Sequence, residues 1–224
     1  MITKTNGNPL VVAPSNQPSP IEDPLRFLPK SLTKLYSIWL SLTYPFASNG
    51  SNLSVHYTCD LLRSRAHRIK LGDSVQILKD AILDVLAPPE QNGEPIIVLD
   101  DHAQIGYRCL ISAKNHIHIE RDVIMAQSVA IIDHGYADTD RSPSPGEPGG
   151  NEGGRIRIGQ GSWIGQGAAI VCTGDELVLG RNCVVAAKAV VTQSFPPHSV
   201  VFGNPARVIK QFDPARKIWV LGSI

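Results

Sequence analysis

His134 stands where a regular pattern stops. It follows the apolar run "VAII" with one acid between, and precedes "GYADTDRSPSPGEPGGNEGG", a stretch from 135 to 154 with almost no apolar residue. An imidazole gains and loses a proton near neutrality, so a histidine held at such an edge suits general-base chemistry. It would take a proton from an acceptor hydroxyl or amine as that group attacks an acyl carbon. Asp133 and Asp138 flank it, and a carboxylate on the second ring nitrogen would orient the ring. Adjacent side chains on an extended chain point to opposite faces. Asp138 is therefore the preferred orienting residue and Asp133 the poorer one, although both also suit turns. Tyr136 is a candidate for the acceptor pocket. Position alone leaves a second reading of His134 open, as a solvated loop histidine.

Metal and thiol chemistry are weaker. His116 and His118 share one face of an extended segment, but no histidine occurs between His134 and His198, so no metal site is expected. Cys59, Cys109, Cys172 and Cys183 are far apart and form no CxxC pair. Neither a disulfide scaffold nor a zinc ribbon fits that spacing, and reduced thiols in a cytoplasmic protein do. Cys172 reads as core rather than as a nucleophile.

The element that positions His134 is a repeat. Large aliphatic residues recur every six positions: Leu99, Ile105, Ile111; then Ile119, Met125, Ile131; then Ile158, Ile164, Ile170; then Leu179, Val185, Val191. A weaker run begins at Leu71 and Ile77. Four places after most anchors comes a small residue: Ala103, Cys109, Val123, Val129, Ser162, Ala168, Gly174, Cys183, Ala189. Glycine often follows the anchor directly, as at Gly106, Gly159, Gly165 and Gly180. Period six with one large and one small inward residue suits three short strands per turn around a narrow triangular core. Glycine or a polar turn residue would serve the corners, where positive φ is often needed. One coil is too thin to bury its own core, so stacking supplies the stability. The spacing from Ile119 to Ile158 alone greatly exceeds a coil. The excess is therefore a loop extruded from a rigid prism, at about 135–154. "APPEQNGEP", 87–95, reads as a smaller inserted loop.

Residues 1–24 read as an arm. Apolar residues at 25, 28, 32, 35, 36, 39 and 42 have helical spacing, with Ser31 as a candidate N-cap and Pro45 with "ASNGSN" as the stop. The division expected is an arm and helix over 1–48, the repeat domain over 49–212 and a tail over 213–224. The net charge of +1 argues against nucleic acid as a partner. The first twenty residues carry no apolar signal core. The run from Leu32 to Ala47 is too short to span a bilayer and contains Lys34, so no integral membrane segment is expected.

The run "IRIGQGSWIGQGAAIV" followed by "LVLGRNCVVAAKAVVTQSFPPHSVVFGNPARVIKQF" resembles the hexapeptide-repeat acyltransferases. The likeness is greatest to the branch of maltose and galactoside O-acetyltransferases and of exopolysaccharide and lipopolysaccharide acetyltransferases. That resemblance implies a mainly β fold, a left-handed parallel β-helix. The handedness comes from the resemblance alone, since parallel crossovers usually take the opposite hand. It also implies a homotrimer, acetyl-CoA as donor, a sugar or glycan precursor as acceptor, and His134 as general base in direct transfer without an acyl-enzyme. By position in the family's motifs, Ala187 and Thr192 would touch the cofactor's pantetheine arm and adenine. Trp163 would wall the channel or meet a neighbouring subunit. Arg207 and Lys210 would meet the CoA phosphates or form a solvated basic end. Gln193 departs from the lysine often found after the matching threonine, and Lys188 is a nearby substitute. Gln166 stands where some relatives have serine. Two other readings remain at this point: a non-catalytic β-helix scaffold that binds a partner, and an amino-sugar N-acetyltransferase.

Overall fold

The structure, a computed structural model, describes residues 27–86, 93–135 and 153–222. Three sheets of six, nine and six strands form the sides of a prism, with every third strand hydrogen-bonded in parallel to the strand one coil away. The six-residue period is the register of that prism. In the first sheet Leu71, Leu99, Ile119, Ile158 and Leu179 lie side by side in successive coils. In the third, Leu83, Ile111, Ile131, Ile170 and Val191 do the same. In the second, Ile77 pairs with Ile105, and Met125, Ile164, Val185 and Val201 form one row. All of these side chains are buried. Each aliphatic rung therefore packs on the next, and the repeat supplies hydrophobic burial at about 25 cal/mol per Å² without a separate layer of helices.

The corners need two backbone devices, and they fall on different residues. Ala103, Cys109, Val123, Val129, Ser162, Ala168, Cys183 and Ala189 point inward and are buried. Each follows a residue with φ between 53° and 69°, from His102 and Arg108 to Gly167 and Lys188. Most of these corner residues are not glycine; the left-handed conformation costs them about 1 kcal/mol, which the hydrogen bonds to the next coil offset. The glycines after the anchors do not have positive φ, contrary to expectation. They are needed for close approach: a Cβ on Gly159 would lie 2.5 Å from Arg181 N in the next coil. Gly174 also departs from the expected inward set. It is exposed, because the third strand of a coil leads straight into the next coil rather than into a tight corner.

Helix α1 covers Phe27–Thr43, five residues earlier than a Ser31 cap predicts. Pro29 lies in its first turn, where the backbone N–H groups lack helical partners in any case, so the missing N–H costs nothing. Leu40 is fully buried in the same core as Val55 and Ile69. Ser37 Oγ accepts from Val55 N at 2.8 Å and donates to Thr33 O at 2.7 Å. The strand Ser48–Asn49 pairs with Lys70 and Leu71, so the first coil begins inside "ASNGSN". At the other end Ser199–Gly203 pairs in parallel with Val184–Val185, and Ala206–Asp213 and Ile218–Leu221 then extend the second sheet as antiparallel strands. No described helix is long and apolar enough to cross a membrane.

Candidate active site

The strand Ala130–Ile132 lies in the third sheet between Leu110–Ala113 and Ala169–Val171. Ile131 is its buried rung. The strand ends at Ile132, and the next two residues carry the candidate chemistry. Asp133 is fully buried. Its Oδ1 accepts from Lys114 N at 2.7 Å, and its Oδ2 accepts from Asn115 N and His116 N, both at 2.8 Å. Three backbone N–H groups thus satisfy a carboxylate that would otherwise be costly to bury. The carboxylate fastens the turn that leads from the preceding coil into its own, between Leu110–Ala113 and His116–Ile119. The same Oδ1 lies 3.2 Å from Nδ1 of His134, whose side chain is 21% exposed. A proton on Nδ1 facing Asp133 puts the ring's lone pair on Nε2, the form a general base requires.

That contact brings Asp133 to the ring, where alternation along an extended chain would turn it away. The alternation of side chains holds within a strand, and here the strand has already ended, so neighbouring side chains converge. Asp138 and Tyr136 lie outside the described residues, as does the extruded loop at 136–152. Both ends of the loop are fixed at His134. Gly154 N donates to Asp133 O at 2.9 Å. Gly153 has φ +71°, and a Cβ there would lie 2.7 Å from His134 Cα. Asp133, which the sequence reading ranked below Asp138, and Gly153, which it did not name, both lie against His134. The acid directly after "VAII" was the visible signal for one of them; nothing in the sequence marked the other.

Cys172 is buried beside this corner, with Ile132 O accepting from its N–H at 3.0 Å. Burial pushes its thiol up, and the neighbouring Asp133 adds to the shift. A thiol held protonated is a poor nucleophile, in keeping with its reading as core. His118 Nε2 meets Asp100 Oδ2 at 2.8 Å and His116 Nδ1 meets Pro95 O at 3.1 Å. Among the described residues no group of three or more His, Cys, Asp and Glu is placed to hold a metal ion.

The residues expected to meet a CoA molecule fall into three places. Thr192 is exposed just beyond the strand Val190–Val191. Because Ile132 registers with Val171 and Ile170 with Val191, Thr192 sits on the His134 edge of the third sheet, two coils on. At the usual strand spacing that is roughly 10 Å along the prism. Gln166 and Ala187 are exposed at the opposite edge, on adjacent coils, where Gln166 O accepts from Lys188 N at 2.9 Å. Trp163, half-exposed, lies on the second sheet. It registers with Val184, Val184 with Val200, and Val200 with Lys210, so Trp163 and Lys210 occupy one cross-strand row. Arg207 is on the same outer strand, opposite Phe202, and its Nη1 donates to Ala206 O at 2.8 Å. Small or polar side chains at Ala187 and Thr192 leave room for a thin extended ligand, and Arg207 and Lys210 offer cations beyond the last coil. One chain does not gather these groups into a single cleft. His134 and Trp163 lie on different sheets of the prism.

No protein-family model matches the chain. It is 29% identical over 133 residues to WbbJ of Escherichia coli K12, named as a lipopolysaccharide biosynthesis O-acetyl transferase; the match covers 57% of this chain and 66% of that one. It is 37% identical over 67 residues to SACOL2570 of Staphylococcus aureus, named as an acetyltransferase, covering 28% of this chain and 32% of the other. The matches thus span just under two thirds of the first relative and about a third of the second. Among solved structures, AntD of Bacillus cereus, described as an N-acyltransferase in complex with dTDP and 3-hydroxybutyryl-CoA, superposes with a TM-score of 0.63 at 17% identity. That superposition covers 82% of this chain and 89% of AntD. The fold is therefore a mainly β, left-handed parallel β-helix like that of this acyltransferase structure.

Proposed function

We propose that this hexapeptide-repeat β-helix is an acyl-CoA-dependent acetyltransferase that modifies a sugar hydroxyl, with His134 as general base. The observation that carries the reading is the fixed histidine at the broken coil, with Nδ1 held 3.2 Å from the buried carboxylate of Asp133. Acetyl-CoA supplies the activated acyl carbon as a thioester. Nε2 of His134 takes the proton from the acceptor hydroxyl as its oxygen bonds to that carbon. The carbon–sulfur bond then breaks, and the leaving sulfur receives the proton from the imidazolium. Asp133 positions the ring and balances its charge in between. The buried, protonated Cys172 has no part in this scheme.

Trp163, Gln166, Ala187, Thr192, Arg207 and Lys210 are assigned to the CoA path, with Lys188 beside Ala187 offsetting the missing cation at Gln193. A path that reaches both His134 and the row from Trp163 to Lys210 needs two sheets of the prism facing each other. A homotrimer with sites between subunits meets that need. The four free cysteines suit a reducing, cytoplasmic setting. The sequence likeness to a chain named as a lipopolysaccharide O-acetyl transferase favours oxygen as the nucleophile and a glycan precursor as the acceptor. The likeness to AntD, solved with dTDP and 3-hydroxybutyryl-CoA, makes nucleotide-linked sugars the first acceptors to try. The test is release of free CoA thiol from acetyl-CoA with a panel of sugars, nucleotide-sugars and their 4-amino analogues. Turnover with a hydroxyl acceptor supports the reading. Turnover confined to amino-sugars moves the activity to nitrogen, and no turnover alongside absent CoA binding leaves a scaffold.

A further inference from the structure

Helix α1 presents its apolar side away from the protein. Toward the β-helix it turns Thr33, Ser37 and Ser41 with a single buried leucine, Leu40. Leu32, Leu35, Ile38, Trp39 and Leu42 are between 49% and 81% exposed. At 100° per residue these five fall within an arc of about 120°, the width of the stripe that a surface helix ordinarily turns to its core. Isolated exposed leucines are normal, whereas a continuous stripe on a helix marks a docking surface. The stripe continues into a groove of about 810 Å³ beside the helix, lined by Ile38, Leu42, Leu53, Leu78 and Tyr107.

The chemistry of the rim identifies the partner. The helix "FLPKSLTKLYSIWLSLT" contains Lys30 and Lys34 and no acid. Both lysines line the rim of the groove. Trp39 packs at 5.7 Å against both Tyr36 and Tyr44, which places an aromatic cluster along the flank of the stripe. Two copies meeting through this face would find on the partner's helix no carboxylate to receive Lys34. A surface of anionic lipid complements both the charge and the stripe, and indole and phenol rings favour the boundary between headgroups and acyl chains. The helix is too short and too polar on its inner side to cross a bilayer.

We propose that α1 is a membrane-surface anchor. It lies in the interface plane, with Leu32, Leu35, Trp39 and Leu42 at the acyl boundary and Lys34 on anionic headgroups. The inference stands apart from the acyl-transfer reading, since it uses none of those residues. The test is co-sedimentation of the full chain with vesicles of phosphatidylcholine alone or of equimolar phosphatidylcholine and phosphatidylglycerol. Expected is binding to the anionic vesicles that falls with salt. Binding should weaken roughly tenfold or more in the Leu35→Ser, Leu42→Ser double variant and more modestly in Lys34→Glu. All variants should keep the wild-type melting temperature and light-scattering mass. Absence of the wild-type protein from both vesicle pellets overturns the proposal. So does equal binding to both compositions, and so does a double variant that changes mass in solution but not vesicle binding, which would assign the face to contact between copies.

Discussion

Asp133 Oδ1 stands 3.2 Å from His134 Nδ1 and at the same time 2.7 Å from Lys114 N. One carboxylate thus joins the candidate base to the backbone of the preceding coil. Asp133→Asn replaces one acceptor oxygen by an NH₂ group facing N–H donors, leaving buried donors unpaired at a cost of about 1–3 kcal/mol. The variant should melt at a lower temperature. It should also lose kcat more than it raises the KM for acetyl-CoA, because the ring is no longer held for proton transfer. A variant with lowered melting and unaltered kcat would make Asp133 a fastener of the 114–116 turn alone.

The rungs from Leu99 to Val191 were legible because a large aliphatic side chain every six residues has few other ways to be buried. What the sequence left hidden was contact made by convergence. Asp133 meets His134 because the strand ends one residue earlier, a boundary that periodicity does not mark. The close approach that demands glycine at Gly159 is equally silent, since it depends on backbone in another coil. The helix shows the same limit from another side. Apolar spacing over 25–42 identified α1, yet the stripe faces outward, because Leu40 enters the core and Ser37 bonds to Val55. Spacing reveals a face without saying what covers it.

His116 gives the molecule a weakness in acid. Burial pushes its imidazole below the usual value of 6.5, and the nearby charges of His118 and Arg155 act in the same direction, against the Pro95 carbonyl and Asp133. The unfolded chain therefore binds the proton more readily than the folded one. Stability from this group is complete above about pH 6.5 and declines as pH falls through and below that value. The melting temperature should drop between pH 7 and pH 5, and should drop less in His116→Gln. Parallel curves for the two proteins would contradict this.

Lys210 shares a cross-strand row with Trp163, and Arg207 is on the same outer strand. These cations sit beyond the last coil, away from His134 on another sheet. Arg207→Ala and Lys210→Ala should raise the KM for acetyl-CoA while leaving kcat near wild type, the pattern of lost uniform binding. Steady-state kinetics with acetyl-CoA varied at saturating acceptor decide it. An unchanged KM in both variants removes the strand Ala206–Asp213 from the cofactor path.

His134→Ala tests the chemistry itself. The side chain emerges one residue after the buried Asp133, on a corner fixed by the bond from Gly154 N to Asp133 O at 2.9 Å. It fills no rung, so its removal leaves the stack of aliphatic residues intact, and melting should change little. CoA affinity should also persist, because none of the residues assigned to the cofactor is touched. Turnover should fall by about 10²–10⁴-fold, the usual contribution of a positioned general base. The measurements are kcat and kcat/KM for both proteins, with CoA binding and thermal melting as controls. A folded variant that binds CoA and turns over near the wild-type rate would exclude His134 as the base. The broken coil after Ile132 would then have to serve acceptor binding instead.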